Sequence, residues 1–370
     1  MIKVCHMTSA HKSTDVRIFK KQCLSLDKAG YDTYLVAKGE SRKENGVHVV
    51  GVGEILGGRV KRMTLTTKII YKKALELDCD IYQIHDPELL PYALKLKKKG
   101  KKVIFDSHED YVMLMCEKYY IPKIMRHLVA KTFDIYQSYV LKKIDGVIFP
   151  CLKDGRHIFE GKCKNIATVG NEVSLNELYE AFDKNLIKDG NTICHIGSLT
   201  YNRGIKHLIL ANGQAKSSLI LGGEFAPESF KQELELLDGW KEVDYRGFCN
   251  RAQVLDIYKH SKIGICTILN VGQYNAYDNF ATKVYEYMSM GMPVIMSDYS
   301  FARKVNDKYN FAILVKPDDI NAIANAINYL IDNSEIAYEM GQNGRRAIKE
   351  EYNWDNEAQK LFKLYEEISK

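Results

Sequence analysis

Proline and tryptophan are scarce in this 370-residue chain, at seven and two residues, and 25 glycines are an ordinary share. With 46% hydrophobic and 27% charged residues, that composition excludes collagen, coiled coil and disorder. No run approaches the roughly 20 apolar residues that a bilayer span requires. The nine cysteines, at positions 5, 23, 79, 116, 151, 163, 194, 249 and 266, are odd in number and form no C-x-x-C pair. Neither a disulfide framework nor a structural zinc site is expected, and a reducing cytosol is. Met1-Ile2-Lys3-Val4-Cys5-His6 runs straight into a strand-like stretch, without the basic, apolar and small-residue order of a secretion signal. Internal repeats of 20–50 residues and low-complexity tracts are absent.

What is present begins with charge. The net +6 conceals an asymmetry: 31 basic against 19 acidic side chains up to residue 170, then 22 against 28. The basic half is expected to face something anionic. Its densest runs are Arg59-Val60-Lys61-Arg62, Lys72-Lys73 and positions 95–102. The aromatic platforms and motifs of nucleic-acid modules are missing. Peripheral contact with an anionic membrane fits better, at about 1 kcal/mol per Lys or Arg near the surface.

Short apolar runs alternate with helical patterns. Strands are expected at 2–7, 34–37, 47–50, 81–84, 103–105, 146–149 and 167–169, then at 192–196, 218–221, 243–245, 263–267, 293–296 and 312–315. Several runs are continuously apolar, as in strands buried on both faces. Helices are expected at 17–29, 60–77, 87–99, 122–143 and 153–160, then at 204–213, 227–238, 250–260, 282–290, 317–332, 334–350 and 354–368. The pattern predicts two α/β domains with doubly wound parallel sheets, joined near 171–190, binding ligand in a cleft at their strand carboxyl ends. The cluster Gly51, Gly53, Gly57, Gly58 has the wrong spacing for a dinucleotide fingerprint, because position 56 is Leu; it reads as a loop.

The residues suited to chemistry follow strands. Gly197-Ser198 closes one strand, and a helix starts near Arg203-Gly204. Backbone N–H groups and a guanidinium there suit a diphosphate. In Tyr277-Asp278-Asn279-Phe280-Ala281-Thr282-Lys283-Val284-Tyr285-Glu286, a helix from about 282 leaves Asp278 in the preceding loop and Glu286 one turn in. Glu286 suits a ribose diol and Asp278 suits sugar hydroxyls. Lys283 is a poor partner for a helix N-terminus, so a nearby anion would explain it. In the basic half, Asp15, His85 and His108 each follow a strand, and His108 suits a hydroxyl. Asp78-Cys79-Asp80 precedes a strand, at the wrong end of the sheet for catalysis.

These segments together resemble the family-four retaining glycosyltransferases of the GT-B fold. Asp278 through Pro293 is similar to that family's Glu-x7-Glu region. Asp15-Val16-Arg17-Ile18-Phe19, His85-Asp86-Pro87-Glu88, Asp106-Ser107-His108-Glu109, Gly197 through Gly204, Tyr245-Arg246-Gly247-Phe248 and Tyr352-Asn353-Trp354 match further segments. The resemblance implies two Rossmann-like domains: 1–172 binding acceptor, through Asp15 and His85, and 173–352 binding a UDP- or GDP-sugar. Residues 353–370 would form a helix returning to the first domain. It implies no required cofactor or metal, with Glu286 on the ribose, Gly247 and Phe248 near the base, and Gly197, Ser198, Arg203, Gly204 and Lys283 on the diphosphate. His108, Asp278 and Arg203 would serve catalysis. A glycan or lipid-linked acceptor, a role in surface-polysaccharide synthesis and a cytoplasmic site, peripheral on the inner membrane, are expected. The pattern departs where Asp278 replaces Glu and Ser198 replaces Arg. A nucleotide-sugar 2-epimerase and a degenerate binding scaffold are the alternatives.

Overall fold

The computed structural model describes residues 1–54, 57–117, 121–183, 191–273 and 275–370. Positions 55 and 56 of the glycine cluster, and 184–190 of the expected joint, lie outside them. The chain divides into two compact units, Met1–Asn171 with Asn356–Lys370, and Glu172–Asp355.

The first unit is built on eight strands: β1 (Lys3–Lys12), β2 (Asp32–Lys38), β3 (Arg42–Glu44), β4 (Val47–Gly51), β5 (Ile81–Ile84), β6 (Lys102–Asp106), β7 (Gly146–Phe149) and β8 (Asn165–Thr168). Their order is β3-β4-β2-β1-β5-β6-β7-β8. All pairs are parallel except β3 with β4. Every residue of β5 and β7 is buried, as a sheet covered on both faces demands. From the end of the chain, Leu364, Tyr365 and Ile368 of helix Trp354–Ser369 are buried within this unit.

The second unit carries β9 (Thr192–Ile196), β10 (Ser218–Gly222), β11 (Val243–Gly247), β12 (Ile263–Cys266), β13 (Val294–Ser297) and β14 (Ala312–Val315). The order is β11-β10-β9-β12-β13-β14, parallel throughout. The chain steps outward one way from β9 and then resumes on its other side at β12. That reversal separates the loops leaving β9 and β12, which is where open α/β sheets bind ligands.

One expected helix is absent. Residues 153–160 form turns, with Lys153 bridged to Arg156. Asp154 and Gly155 take φ of +49° and +75°, a left-handed bend that no helix continues through. His157 and Phe159 pack there against Phe149.

Candidate functional site

In the second unit Gly197, Gly204 and Lys283 lie at the β9/β12 reversal. Gly197 leaves β9 at φ +128°, and a Cβ there would lie 3.1 Å from the Lys283 ammonium. Gly204 starts helix Ile205–Asn212 at φ +73°, and a Cβ there would strike the Thr267 carbonyl at 2.0 Å. Glycine is what lets these two loops close together.

Lys283 lies in the first turn of helix Thr282–Ser289 and is buried. Its Nζ sits 2.7 Å from His195 Nε2, while His195 Nδ1 sits 3.1 Å from the Ile265 carbonyl. A carbonyl only accepts, so Nδ1 carries the imidazole proton and Nε2 accepts from the ammonium. Burial, then the Lys283 and Arg203 charges, lower the His195 pKa well below the usual range, which fits this neutral tautomer. Burial also lowers the Lys283 pKa to about 8; Arg203 adds to this, and Cys266 and Glu286 oppose it. Among the described residues no carboxylate lies within ion-pair distance of Lys283. The Thr267 hydroxyl, packed against Gly204, is buried and has no hydrogen-bond partner among the described residues.

Glu286 sits one turn further along. Its Oε1 accepts from Arg251 Nη1 at 2.6 Å and its Oε2 from the Tyr258 hydroxyl at 2.7 Å. Arg251 opens helix Arg251–His260, which Asn250 and Gln253 cap reciprocally. Nothing in the sequence singled out Arg251 or Tyr258, which lie 35 and 28 residues from Glu286. Asp278 is partly buried in the loop before helix Thr282–Ser289, and its charge is felt at Tyr299. Ser198 is exposed. The Gly247 carbonyl accepts from the Gly223 N–H at 2.6 Å, and the next residue, Phe248, leaves 73% of its surface in solvent.

In the first unit, Asp15, His85 and His108 belong to one polar cluster, with a different part for each. Asp15 caps helix Val16–Cys23 by accepting from the Ile18 N–H at 2.9 Å, and its other oxygen lies 3.3 Å from His11. Burial opposes its ionisation, yet those bonds and the His11 and His108 charges bring its pKa to about 2. His85 is fully buried, so it reaches a ligand only through His108. His108 is mostly covered, and its Nε2 lies 3.1 Å from His85 Nδ1 and 3.4 Å from Asp106 Oδ2. The anchor of the cluster is Asp106, which takes the Arg17 guanidinium in a fork at 2.7 and 3.1 Å and the Gln22 amide at 2.7 Å. His85, Asp106 and His108 offer one donor atom each within 4.8 Å, close enough for a cation. Arg17 and Gln22 already occupy Asp106. At the other end of β5, Asp80 accepts from the Lys3 N–H and Asp78 pairs with Lys101.

Residues 179–347 match the family model "Glycosyl transferases group 1". A Methanocaldococcus jannaschii protein named as an uncharacterised glycosyltransferase is 25% identical over 291 residues, 74% of this chain and 70% of its own. Sucrose-phosphate synthase from Thermosynechococcus elongatus superposes with a TM-score of 0.75 at 16% identity, over 100% of this chain and 99% of that one. The Anabaena protein HepE, solved with UDP and glucose, gives 0.70 at 14%, over 99% and 100%. The family model, this relative and the shared architecture together support a glycosyltransferase of group 1 with the GT-B fold.

Proposed function

We propose that this protein transfers a sugar from a nucleoside diphosphate donor to a glycan or lipid-linked acceptor hydroxyl, with retention and without a required metal. The observation that carries the reading is Lys283: a buried ammonium with no carboxylate partner among the described residues, in a helical first turn, while the Thr267 hydroxyl, one residue past the Cys266 that Lys283 feels, is also buried and unsatisfied. An anion such as a diphosphate satisfies both. When the sugar–oxygen bond breaks, the electron pair stays on the diphosphate. Arg203, Lys283 and the N-termini of helices Ile205–Asn212 and Thr282–Ser289 stabilise that charge. The acceptor hydroxyl attacks the same face and its proton passes to the departing phosphate.

Glu286, held rigid by Arg251 and Tyr258, binds the ribose diol, and Phe248 offers its exposed ring to the base. Asp278 and His108 bind sugar hydroxyls. UDP is the favoured nucleotide, since HepE has been solved with it, and GDP is the alternative. The test is calorimetric titration with UDP, GDP and ADP. One of them should bind, and Glu286→Ala should weaken it roughly 10- to 100-fold, the worth of charged hydrogen bonds. If none binds the folded protein, the scaffold alternative gains; isomerisation of a donor without acceptor would point to the epimerase.

The acceptor is read as lipid-linked, in surface-polysaccharide synthesis, because the basic unit also exposes apolar side chains. Helix Lys123–Leu141 shows Ile124, Leu128, Ile135 and Tyr139 with Lys131 along one stripe, and Ile124 is 91% exposed. Val60 and Met63 stand out beside Arg59 and Lys61. No helix of the described residues is long and apolar enough to cross a membrane. Co-flotation with anionic vesicles is expected at low salt, with loss at 0.5 M salt or in Ile124→Asp/Leu128→Asp. Absence of flotation at low salt would remove the membrane role.

A further inference from the structure

Glu286 is gripped by two donors from a single helix. Arg251 Nη1 donates to Oε1 at 2.6 Å, and the Tyr258 hydroxyl donates to Oε2 at 2.7 Å. Arg251 and Tyr258 lie about two turns apart in helix Arg251–His260, so one face of it addresses both oxygens. Arg251 opens that helix, where a cation opposes the helix dipole, and its carboxylate partner offsets the placement.

Tyr258 is fixed from the sheet side. It is fully buried, and its ring meets the Tyr287 ring edge to face at 5.3 Å. The Tyr287 hydroxyl accepts from the Ile196 N–H at 3.3 Å and faces the Cys194 and Ile265 carbonyls at 3.4 and 3.5 Å. Those three residues belong to β9 and β12, so two tyrosines link the sheet to the carboxylate. Burial, and then the Glu286 charge, raise the Tyr258 pKa well above the usual range, and the hydroxyl keeps its hydrogen for Oε2.

A guanidinium facing a carboxylate favours the fork, two nitrogens on two oxygens. Arg17 does this with Asp106. Arg251 bonds only Oε1 of Glu286, and Tyr258 holds Oε2 in its place. Each oxygen then keeps an acceptor direction, and no further donor reaches either among the described residues. Two such directions in one carboxylate plane match two vicinal hydroxyls.

We propose that Tyr258 and Arg251 are positioning residues that make the site select a ribonucleotide over its 2′-deoxy counterpart: Tyr258 withholds Oε2 from the Arg251 fork, which leaves one acceptor direction on each Glu286 oxygen for each hydroxyl of a cis diol. The proposal rests on the placement of ribose at Glu286.

The test is calorimetric titration of the full chain with UDP and GDP, each against its 2′-deoxy form. For the nucleotide that binds, the wild type should favour the ribose form roughly 10- to 100-fold, the worth of a hydrogen bond to a charged group. In Tyr258→Phe the fork closes on both oxygens. The preference should fall to about threefold or less, through loss of affinity for the ribose form alone. A packing role for Tyr258 would weaken both forms alike and leave the preference unchanged. Arg251→Ala, at an exposed position, is the second variant; it frees the carboxylate to turn, and the preference should fall there too. Equal binding of both forms by the wild type, or an unchanged preference in the two variants, would overturn the proposal. A wild-type preference that survives in Glu286→Ala would refute the placement of ribose at Glu286, and the proposal with it.

Discussion

Lys283→Met is expected to lower kcat about 10²- to 10³-fold, the usual cost of removing one preorganised group from a developing oxyanion, while the protein stays folded. Methionine relieves the desolvation of an ammonium and forfeits the bond to His195, so the stability terms largely offset. The proton economy gives a second readout. The free Lys283 titrates at about 8, and a bound diphosphate raises that value. Wild-type affinity for the nucleoside diphosphate should fall by up to tenfold per pH unit above about 8, with proton uptake on binding. The free protein should gain stability between about 8 and 10.5, where the unfolded lysine holds a proton that the buried one has released. Titration calorimetry in buffers of different ionisation enthalpy checks both. Full turnover in the variant, or a flat pH profile in the wild type, would dismiss Lys283 from the diphosphate site.

Arg17→Ala is expected to destabilise the first unit by about 3–5 kcal/mol, because it strands a buried carboxylate. Arg17 also donates to the Val169 and Gly170 carbonyls, so three acceptors lose a donor at once. The urea midpoint should fall with the m-value unchanged, and Tm should drop by roughly 6–20 °C. Arg17→Lys keeps the charge without the fork and should fall in between. The Asp106 carboxyl, which burial opposes but the Arg17 and His108 charges hold well below its usual range, should titrate higher once Arg17 is gone. The acid limb of the variant's stability curve should therefore begin at higher pH. A loss below about 1 kcal/mol would mean that Gln22 and the histidines hold Asp106 unaided.

The strands were legible because parallel strands are apolar along their whole length. Those at 81–84, 146–149, 192–196 and 312–315 fall where the sequence places them. Strand β3, Arg42–Glu44, went unread because three charged residues at an antiparallel edge carry no apolar signal. Helix Ser300–Tyr309 was also missed, since it buries only Ala302, Val305 and Tyr309 among polar neighbours. Lys283 stands out in the sequence through local electrostatics, as a cation in a helical first turn, and the fold buries it against His195. The Arg251–Glu286–Tyr258 clamp and the cluster of Arg17, Gln22, His85 and His108 around Asp106 were not legible, because their members are brought together from distant stretches of chain and no spacing rule links them. Burial likewise changes the part assigned to His85: spacing marks it as a ligand contact, and the fold puts it behind His108.

The first unit is not continuous in the chain: its sheet ends by residue 168, while Tyr365 and Ile368 arrive from beyond the whole second unit. A growing chain can therefore finish the later unit first. Until then the amino-terminal sheet waits for its last helix, and the buried Gln83 side chain lacks the Tyr365 hydroxyl that donates to it. Completion of synthesis, rather than order along the sequence, decides when the first unit is whole, so a chain interrupted near residue 355 would hold an intact second unit and an unfinished first one.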